Sequence, residues 1–138
     1  MILVDSSVWI DLFADRDTLQ TRTLEEMAID GELIIVGDLI LAEVLQGARN
    51  SHAFARTLSR LSEFDRITIS NPIVAITAAR NYQTLRGLGV TVRKTIDTLI
   101  ATRCILDGIP LLYSDRDFDP FVEHLGLISA FDSARGVT

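Results

Sequence analysis

The chain has 138 residues, of which 48% are hydrophobic and 23% are charged, a composition typical of a compact folded domain. Its net charge of −6 excludes a generally basic protein that coats nucleic acid. The single cysteine, Cys104, excludes an internal disulfide, and no apolar run approaches the roughly 18–20 residues of a membrane span. We therefore expect one domain over residues 1–138, located in the cytoplasm and without membrane contact.

Short apolar segments alternate with helical ones along the chain, which predicts an α/β domain. In chain order the predicted elements are a strand at 2–4, helices at 8–14 and 19–29, a strand at 33–36, helices at 39–47 and 51–61, a strand at 66–69, helices at 72–88 and 95–106, a strand at 109–113, a short helix from 119 and an edge strand at 127–131. Asp38 and Asp119 are expected to cap the helices that follow them. The alternation predicts three α/β/α layers around a central, mostly parallel sheet of four or five strands.

Acidic residues follow the predicted strands or open a helix at one edge of this sheet. Asp5 directly follows the first strand, Asp115 comes two residues after Tyr113, and Asp97 lies in the first turn of its helix. Ligands of parallel sheets bind at the carboxyl ends of the strands, so these carboxylates are predicted to converge there. Glu43, one turn into the helix after the second strand, is expected to reach the same edge.

Two of these acids have mostly apolar neighbours. Asp97 shares a helical face with Ile100 and Ala101, and Glu43 is the only charged residue in 39–45. A buried carboxylate persists when it is paired with a cation or a hydrogen-bond donor. Clustered carboxylates without His or Cys ligands suit Mg²⁺ or Mn²⁺, hard ions that prefer oxygen.

Each acid also has an ordinary structural explanation. Asp5 could cap the helix after it, and Asp97 could be an acid favoured at a helix N-terminus. Glu43 could lie on an exposed helix edge, and Asp115 and Asp117 could be turn residues. The joint pattern favours a shared site more strongly than any single residue does.

Other catalytic chemistries have little support in the sequence. His52 and His124 are the only histidines, which leaves little material for a His-pair ribonuclease or a Ser-His-Asp triad. The chain has neither a GxxxxGK[ST] nor a GxGxxG motif, so a nucleotide-phosphate loop is unsupported. Zinc-ligand spacing is absent as well.

The basic residues include a cluster in a stretch without acids. Residues 66–96 contain no Asp or Glu but carry Arg66, Arg80, Arg86, Arg93 and Lys94. This pattern is typical of a solvated helix face, and it also suits a surface that binds phosphate groups.

Four segments carry acids in the order found in a known family. They are 2–11 with Asp5, 41–47 with Glu43, 96–101 with Asp97, and 112–118 with Asp115. In these segments, which together span nearly the whole chain, the sequence resembles the PIN-domain nucleases, and among them the VapC toxins of bacterial toxin–antitoxin pairs. Ser6 stands where the family usually has Thr, and Asp117 is a candidate accessory ligand.

The resemblance implies an Mg²⁺- or Mn²⁺-dependent endoribonuclease, usually a homodimer, that is held inactive in a complex with a VapB-type antitoxin. It also implies that only the antitoxin binds DNA. The implied catalytic residues are Asp5, Glu43, Asp97 and Asp115, which with Asp117 would be the metal ligands. Ser7 is implied to orient Asp5 or a bound water, and we expect Arg86, Arg93 and Lys94 to contact RNA phosphates.

A divalent ion among these acids would offset their charge and explain how an acidic protein approaches an RNA phosphate. Attack by an activated water predicts 5′-phosphate and 3′-hydroxyl ends, without a role for the RNA 2′-hydroxyl. The alternative hypothesis is a catalytically silent PIN-like module that only binds a protein or RNA partner.

Overall fold

The computed structural model describes residues 1–131, which form four strands and seven α-helices. The elements are β1 (Ile2–Val4), α1 (Ser6–Phe13), α2 (Leu19–Ile29), β2 (Ile34–Gly37), α3 (Asp38–Gln46), α4 (Ser51–Leu61), β3 (Asp65–Ile67), α5 (Pro72–Gly87), α6 (Thr95–Asp107), β4 (Leu111–Leu112) and α7 (Asp119–Leu125), with a 3₁₀ helix at Arg116–Phe118. Within these residues, no helix is both long enough and apolar enough to span a membrane.

The strands form one sheet in the order β3-β2-β1-β4, and every pairing in it is parallel. Because β-α-β crossovers are right-handed, α1–α4 lie on one face and α5 and α6 on the other, in agreement with the contacts of α1 with α2 and α3 and of α5 with α6. The prediction of an α/β/α fold is confirmed. The strand order reverses between β1 and β4, and ligands of such sheets bind at this switch point.

The central strands are buried on both faces, as their uninterrupted apolar sequences predict. Every residue of β1, β2 and β4 is buried. On the α1 side, Trp9 is fully buried and its ring lies 5.0 Å from that of Phe64 and 5.8 Å from that of Phe13. Cys104 is also buried, and burial raises the pKa of its thiol to about 12, so the thiol is an apolar core group.

The last two predicted strands are shorter than expected, because the N–H groups of Ile109 and Leu127 donate to helix carbonyls instead of to a strand. The strand predicted at 109–113 shrinks to β4, since the Ile109 N–H donates to the Cys104 carbonyl of α6 and Pro110 has no N–H. The edge strand predicted at 127–131 is reduced to one parallel bridge between Leu111 and Ser129. The sheet therefore has four strands among the described residues, not five.

The predicted caps at Asp38 and Asp119 are wrong. Both residues begin their helices, and neither helix has a side-chain cap. The Asp38 carboxylate instead accepts a 2.7 Å hydrogen bond from the Ile69 N–H, and Asp119 accepts a 3.0 Å bond from the Tyr113 hydroxyl. Donors from other parts of the fold therefore replace the helix N–H groups as partners of these acids.

Gly37, which ends β2, is expected to tolerate no side chain, because Ile69 packs closely against it. A Cβ at Gly37 would lie 2.6 Å from Cγ1 of the fully buried Ile69. We expect Gly37→Ala to lower the free energy of unfolding by about 1–3 kcal/mol, measured by urea denaturation. Gly87→Ala is the control, since a Cβ there meets nothing within 4 Å. An unchanged midpoint for Gly37→Ala would show that Ile69 yields freely.

Candidate active site

Asp5, between β1 and α1, uses one carboxylate oxygen as a helix cap and leaves the other unpaired. Its Oδ2 accepts hydrogen bonds from the Ser7 N–H at 3.1 Å and the Ser7 hydroxyl at 2.6 Å. Its Oδ1 is buried and meets no hydrogen-bond donor in the described part of the chain. Burial raises the pKa of Asp5 against the opposing effect of the Ser7 bonds. Asp5 therefore does cap α1, but capping accounts for the position of only one of its two carboxylate oxygens.

Asp97 lies in the first turn of α6, facing the interior. Its side chain is 4% exposed, and Oδ2 has no hydrogen-bond donor within residues 1–131. Burial, followed by the negative charge of Asp5, raises the pKa of Asp97 to about 7. A favourable position at a helix N-terminus therefore does not account for Asp97, because that role requires neither burial nor a second carboxylate nearby.

Asp115 and Asp117 follow β4. The Asp115 Oδ1 accepts a 2.9 Å hydrogen bond from the Asp117 N–H, so the predicted turn role is real. Carboxylate oxygens of Asp97, Asp115 and Asp117 nevertheless all lie within 4.8 Å of one another. The turn therefore presents its acids to the first turn of α6.

Glu43 reaches the same region from α3. It is half-buried, and its Oε1 accepts a 3.2 Å hydrogen bond from the hydroxyl of buried Ser6. Burial, and next the charge of Asp5, raise the pKa of Glu43. The contact with Ser6 was not predicted, because the two residues are 37 positions apart. The sequence signal for this contact was Ser6, a hydroxyl residue that directly follows Asp5 at the end of β1.

The hydroxyl of Ser7 joins the two strand ends that flank the switch point. It donates to Asp5 and accepts a 3.2 Å hydrogen bond from the Ser114 N–H. One side chain thus holds the end of β1 and the segment after β4 in a fixed relation. The orienting role of Ser7 stays a prediction, and the structure shows the hydrogen bond to Asp5 that this role requires.

Comparison with known proteins identifies the family to which this arrangement belongs. Residues 2–122 match the family model described as PIN domain. The chain belongs to the PIN domain family. The match covers β1, β2, β3 and β4 and every acid considered above.

Solved structures share the fold of this PIN domain over most of their length. A toxin–antitoxin complex from Klebsiella pneumoniae contains a chain that is 24% identical with a TM-score of 0.66, covering 94% of this chain and 97% of that one. VapBC2 from Rickettsia felis bound to a promoter DNA fragment gives 20% identity and a TM-score of 0.72, with coverages of 94% and 97%. VapC20 from Mycobacterium tuberculosis, described as a sarcin-ricin loop cleaving toxin, gives 18% identity and a TM-score of 0.63, with coverages of 86% and 93%. At these identities the similarity establishes the fold.

The three basic residues predicted to contact RNA have different surroundings in this PIN domain. Lys94, directly before α6, places Nζ 3.6 Å from Oδ2 of Asp115. Arg86 lies over the Tyr82 ring, 5.7 Å from its centroid, and lines a groove of about 500 Å³ between α5 and α6. Arg93 is exposed. The structure therefore brings Lys94 to the acids and places Arg86 in a groove beside α6.

The donor set of this PIN domain fits a hard divalent cation. Asp5, Glu43, Asp97 and Asp115 influence one another electrostatically, and all their donor atoms are carboxylate oxygens. Two buried oxygens, Asp5 Oδ1 and Asp97 Oδ2, lack a donor among the described residues. Buried carboxylates without donors are unfavourable unless protonated or bound to a cation, and oxygen ligands suit Mg²⁺ or Mn²⁺.

Proposed function

We propose that this PIN domain is an Mg²⁺- or Mn²⁺-dependent endoribonuclease and the toxin of a toxin–antitoxin pair. The observation that carries the proposal is the convergence of carboxylates from separate elements on the switch point, with two buried oxygens left unpaired. The similarity to toxin–antitoxin complexes supports the toxin role, and the description of the Mycobacterium tuberculosis toxin supports RNA as the substrate.

In this proposal Asp5, Glu43, Asp97 and Asp115 are the catalytic residues that hold the cation, with Asp117 as an additional ligand. A divalent ion held by these carboxylates would supply Lewis acidity, which lowers the pKa of water and offsets negative charge on the phosphate. Ser7 orients Asp5 through its 2.6 Å bond, and Ser6 orients Glu43. Hydrolysis by water leaves 5′-phosphate and 3′-hydroxyl ends.

In this proposal basic side chains bind the RNA substrate. Arg86 lies in the last turn of α5, and Arg93 lies two residues before α6, the helix that carries Asp97. Both side chains are exposed. We assign to them, and to Lys94 once RNA is bound, contacts with the phosphates that flank the cleaved bond. These contacts would hold the RNA backbone near carboxylates that would otherwise repel it.

We further propose that the chain is a single domain over 1–138 that acts in the cytoplasm. Its partners would be a second copy in a homodimer and a VapB-type antitoxin in a hetero-oligomer, with DNA bound only through the antitoxin. The toxin–antitoxin assemblies among the similar structures support the antitoxin partner.

Incubation of total cellular RNA with the purified, antitoxin-free chain tests the proposal. We expect discrete products with Mg²⁺ or Mn²⁺, none with EDTA, and 5′-phosphates on the products, detected by ligation of adaptors that require this end. Cleavage that persists in EDTA would contradict the metal route. RNA binding without turnover in either condition would support the silent binding module instead.

Ser7→Ala is expected to reduce metal-dependent cleavage by about 10- to 100-fold, as loss of a residue that orients a metal ligand does. The reason is that Asp5 loses its 2.6 Å hydroxyl donor and the Ser114 N–H loses its acceptor. Cleavage rates at several Mn²⁺ concentrations measure the effect, and Ser7→Thr, which keeps the hydroxyl, is the matched control. Wild-type rates in Ser7→Ala would remove Ser7 from the mechanism.

A further inference from the structure

Lys94 places a positive charge at the edge of the acidic site. It immediately precedes α6, three residues before Asp97, and its Nζ lies 3.6 Å from Oδ2 of Asp115. The charge of Asp97, followed by that of Asp115, raises the pKa of Lys94. Lys94 is therefore positively charged at neutral pH, within the field of several carboxylates.

Lys94 makes one ion pair with these acids, and its side chain is exposed to solvent. Within residues 1–131 no other basic side chain forms an ion pair with Asp5, Glu43, Asp97, Asp115 or Asp117. The Lys94 side chain is 57% exposed, and it makes no capping hydrogen bond to α6. Withdrawal of the ammonium into solvent breaks one 3.6 Å ion pair and weakens its attraction to Asp97 and Asp115.

The unpaired oxygens show that Lys94 neutralises the site only in part. Asp5 Oδ1 and Asp97 Oδ2 are buried without a hydrogen-bond donor in the described chain, and the Lys94 contact is with Asp115. A divalent cation that used Asp115 as a ligand would have to approach the ammonium closely. Two cations at such a distance repel each other, most strongly where protein excludes water.

We propose that Lys94 is a tethered counter-cation that occupies Asp115 in the metal-free protein and must withdraw when a divalent ion binds. The inference rests on the proposed metal site. It makes Lys94 a residue that sets the divalent-ion concentration needed for activation. A lysine that served only to bind RNA phosphate would leave ion affinity unchanged in the absence of RNA.

The test is Mn²⁺ binding to the purified full chain without RNA, measured by isothermal titration calorimetry and by the electron paramagnetic resonance of free Mn²⁺. We expect Lys94→Met to lower the dissociation constant about tenfold, because a cation within about 4 Å of the site is removed. Lys94→Arg keeps the charge and is expected to bind like wild type. Arg80→Met on α5 is the matched control, since Arg80 is exposed and the solvent-screened loss of its charge is expected to change affinity less than about twofold.

The outcomes separate this inference from the proposed function. Equal or weaker Mn²⁺ binding by folded Lys94→Met, or equal tightening by Arg80→Met, would overturn the inference alone. Absence of Mn²⁺ binding in the wild type and in Lys94→Met would overturn the metal site and the inference together. Tighter binding by Lys94→Met in a protein that cleaves no RNA would support the inference and overturn only the nuclease proposal.

Discussion

Asp97→Asn is expected to reduce metal-dependent RNA cleavage by roughly 10³-fold, a loss comparable to removal of a group that stabilises charge in a transition state. Asparagine keeps the size of the side chain but loses the negative charge that would bind a cation. The same change should leave the metal-free protein at least as stable as wild type. Asp97 is 4% exposed and its charge is opposed by burial and by Asp5, so a neutral amide relieves an unfavourable buried charge.

Single-turnover cleavage with Mn²⁺ and thermal unfolding in EDTA measure the two effects of Asp97→Asn. Asp65→Asn is the control, since Asp65 is an exposed acid on the edge strand β3 and the substitution changes the net charge equally. Cleavage by Asp97→Asn at the wild-type rate would remove Asp97 from the catalytic set. A large loss of stability would show that its carboxylate is a structural group.

The metal-free protein is expected to lose stability as the pH rises from 5 to 8. The pKa of Asp97 is about 7 in the folded chain against an ordinary value of 3.8. Between these values the folded state holds a proton that the unfolded state has released, so the free energy of unfolding falls with increasing pH. For this one group the fall from pH 5 to 8 is about 2–3 kcal/mol. The raised pKa values of Asp5 and Glu43 act in the same direction.

Urea denaturation in EDTA at pH 5, 6, 7 and 8 measures this dependence. Asp97→Asn should make the free energy of unfolding less dependent on pH. In the wild-type protein, saturating Mn²⁺ at pH 8 should raise the free energy of unfolding again, because the cation replaces the proton as partner of the carboxylates. Stability that increases from pH 5 to 8 in EDTA would contradict the raised pKa of Asp97 in the folded chain. An identical slope in Asp97→Asn would assign the titration to another group.

The convergence of acids could be predicted because it follows from topology. The carboxyl ends of parallel strands lie at one edge of a sheet, so residues that closely follow strands, such as Asp5 and Asp115, meet there. The burial of Asp97 was visible in its apolar helical face. Prediction of the fold class required only the alternation of strands and helices, which is a local property of the sequence.

Side-chain hydrogen bonds and ion pairs that depend on tertiary packing could not be predicted in the same way. The predictions that Asp38 and Asp119 cap helices were wrong because Ile69 and Tyr113, rather than helix N–H groups, donate to these acids. The pairing of Lys94 with Asp115 likewise depends on how α6 and the segment after β4 pack together. Local spacing does not encode these distances, so such donors can be assigned only once the tertiary structure is known.

The position of Mn²⁺ in crystals of the wild-type chain, located from its anomalous scattering, tests directly whether the acids at the switch point bind a cation. We expect a peak in contact with the carboxylates of Asp97 and Asp115. Acidic residues also line a separate pocket of about 380 Å³ beside Met1, and these are Glu26, Asp30 and Glu32. A peak only in that pocket, or no peak at Asp97 and Asp115 under saturating Mn²⁺, would contradict the claim that the acids at the switch point form the cation site.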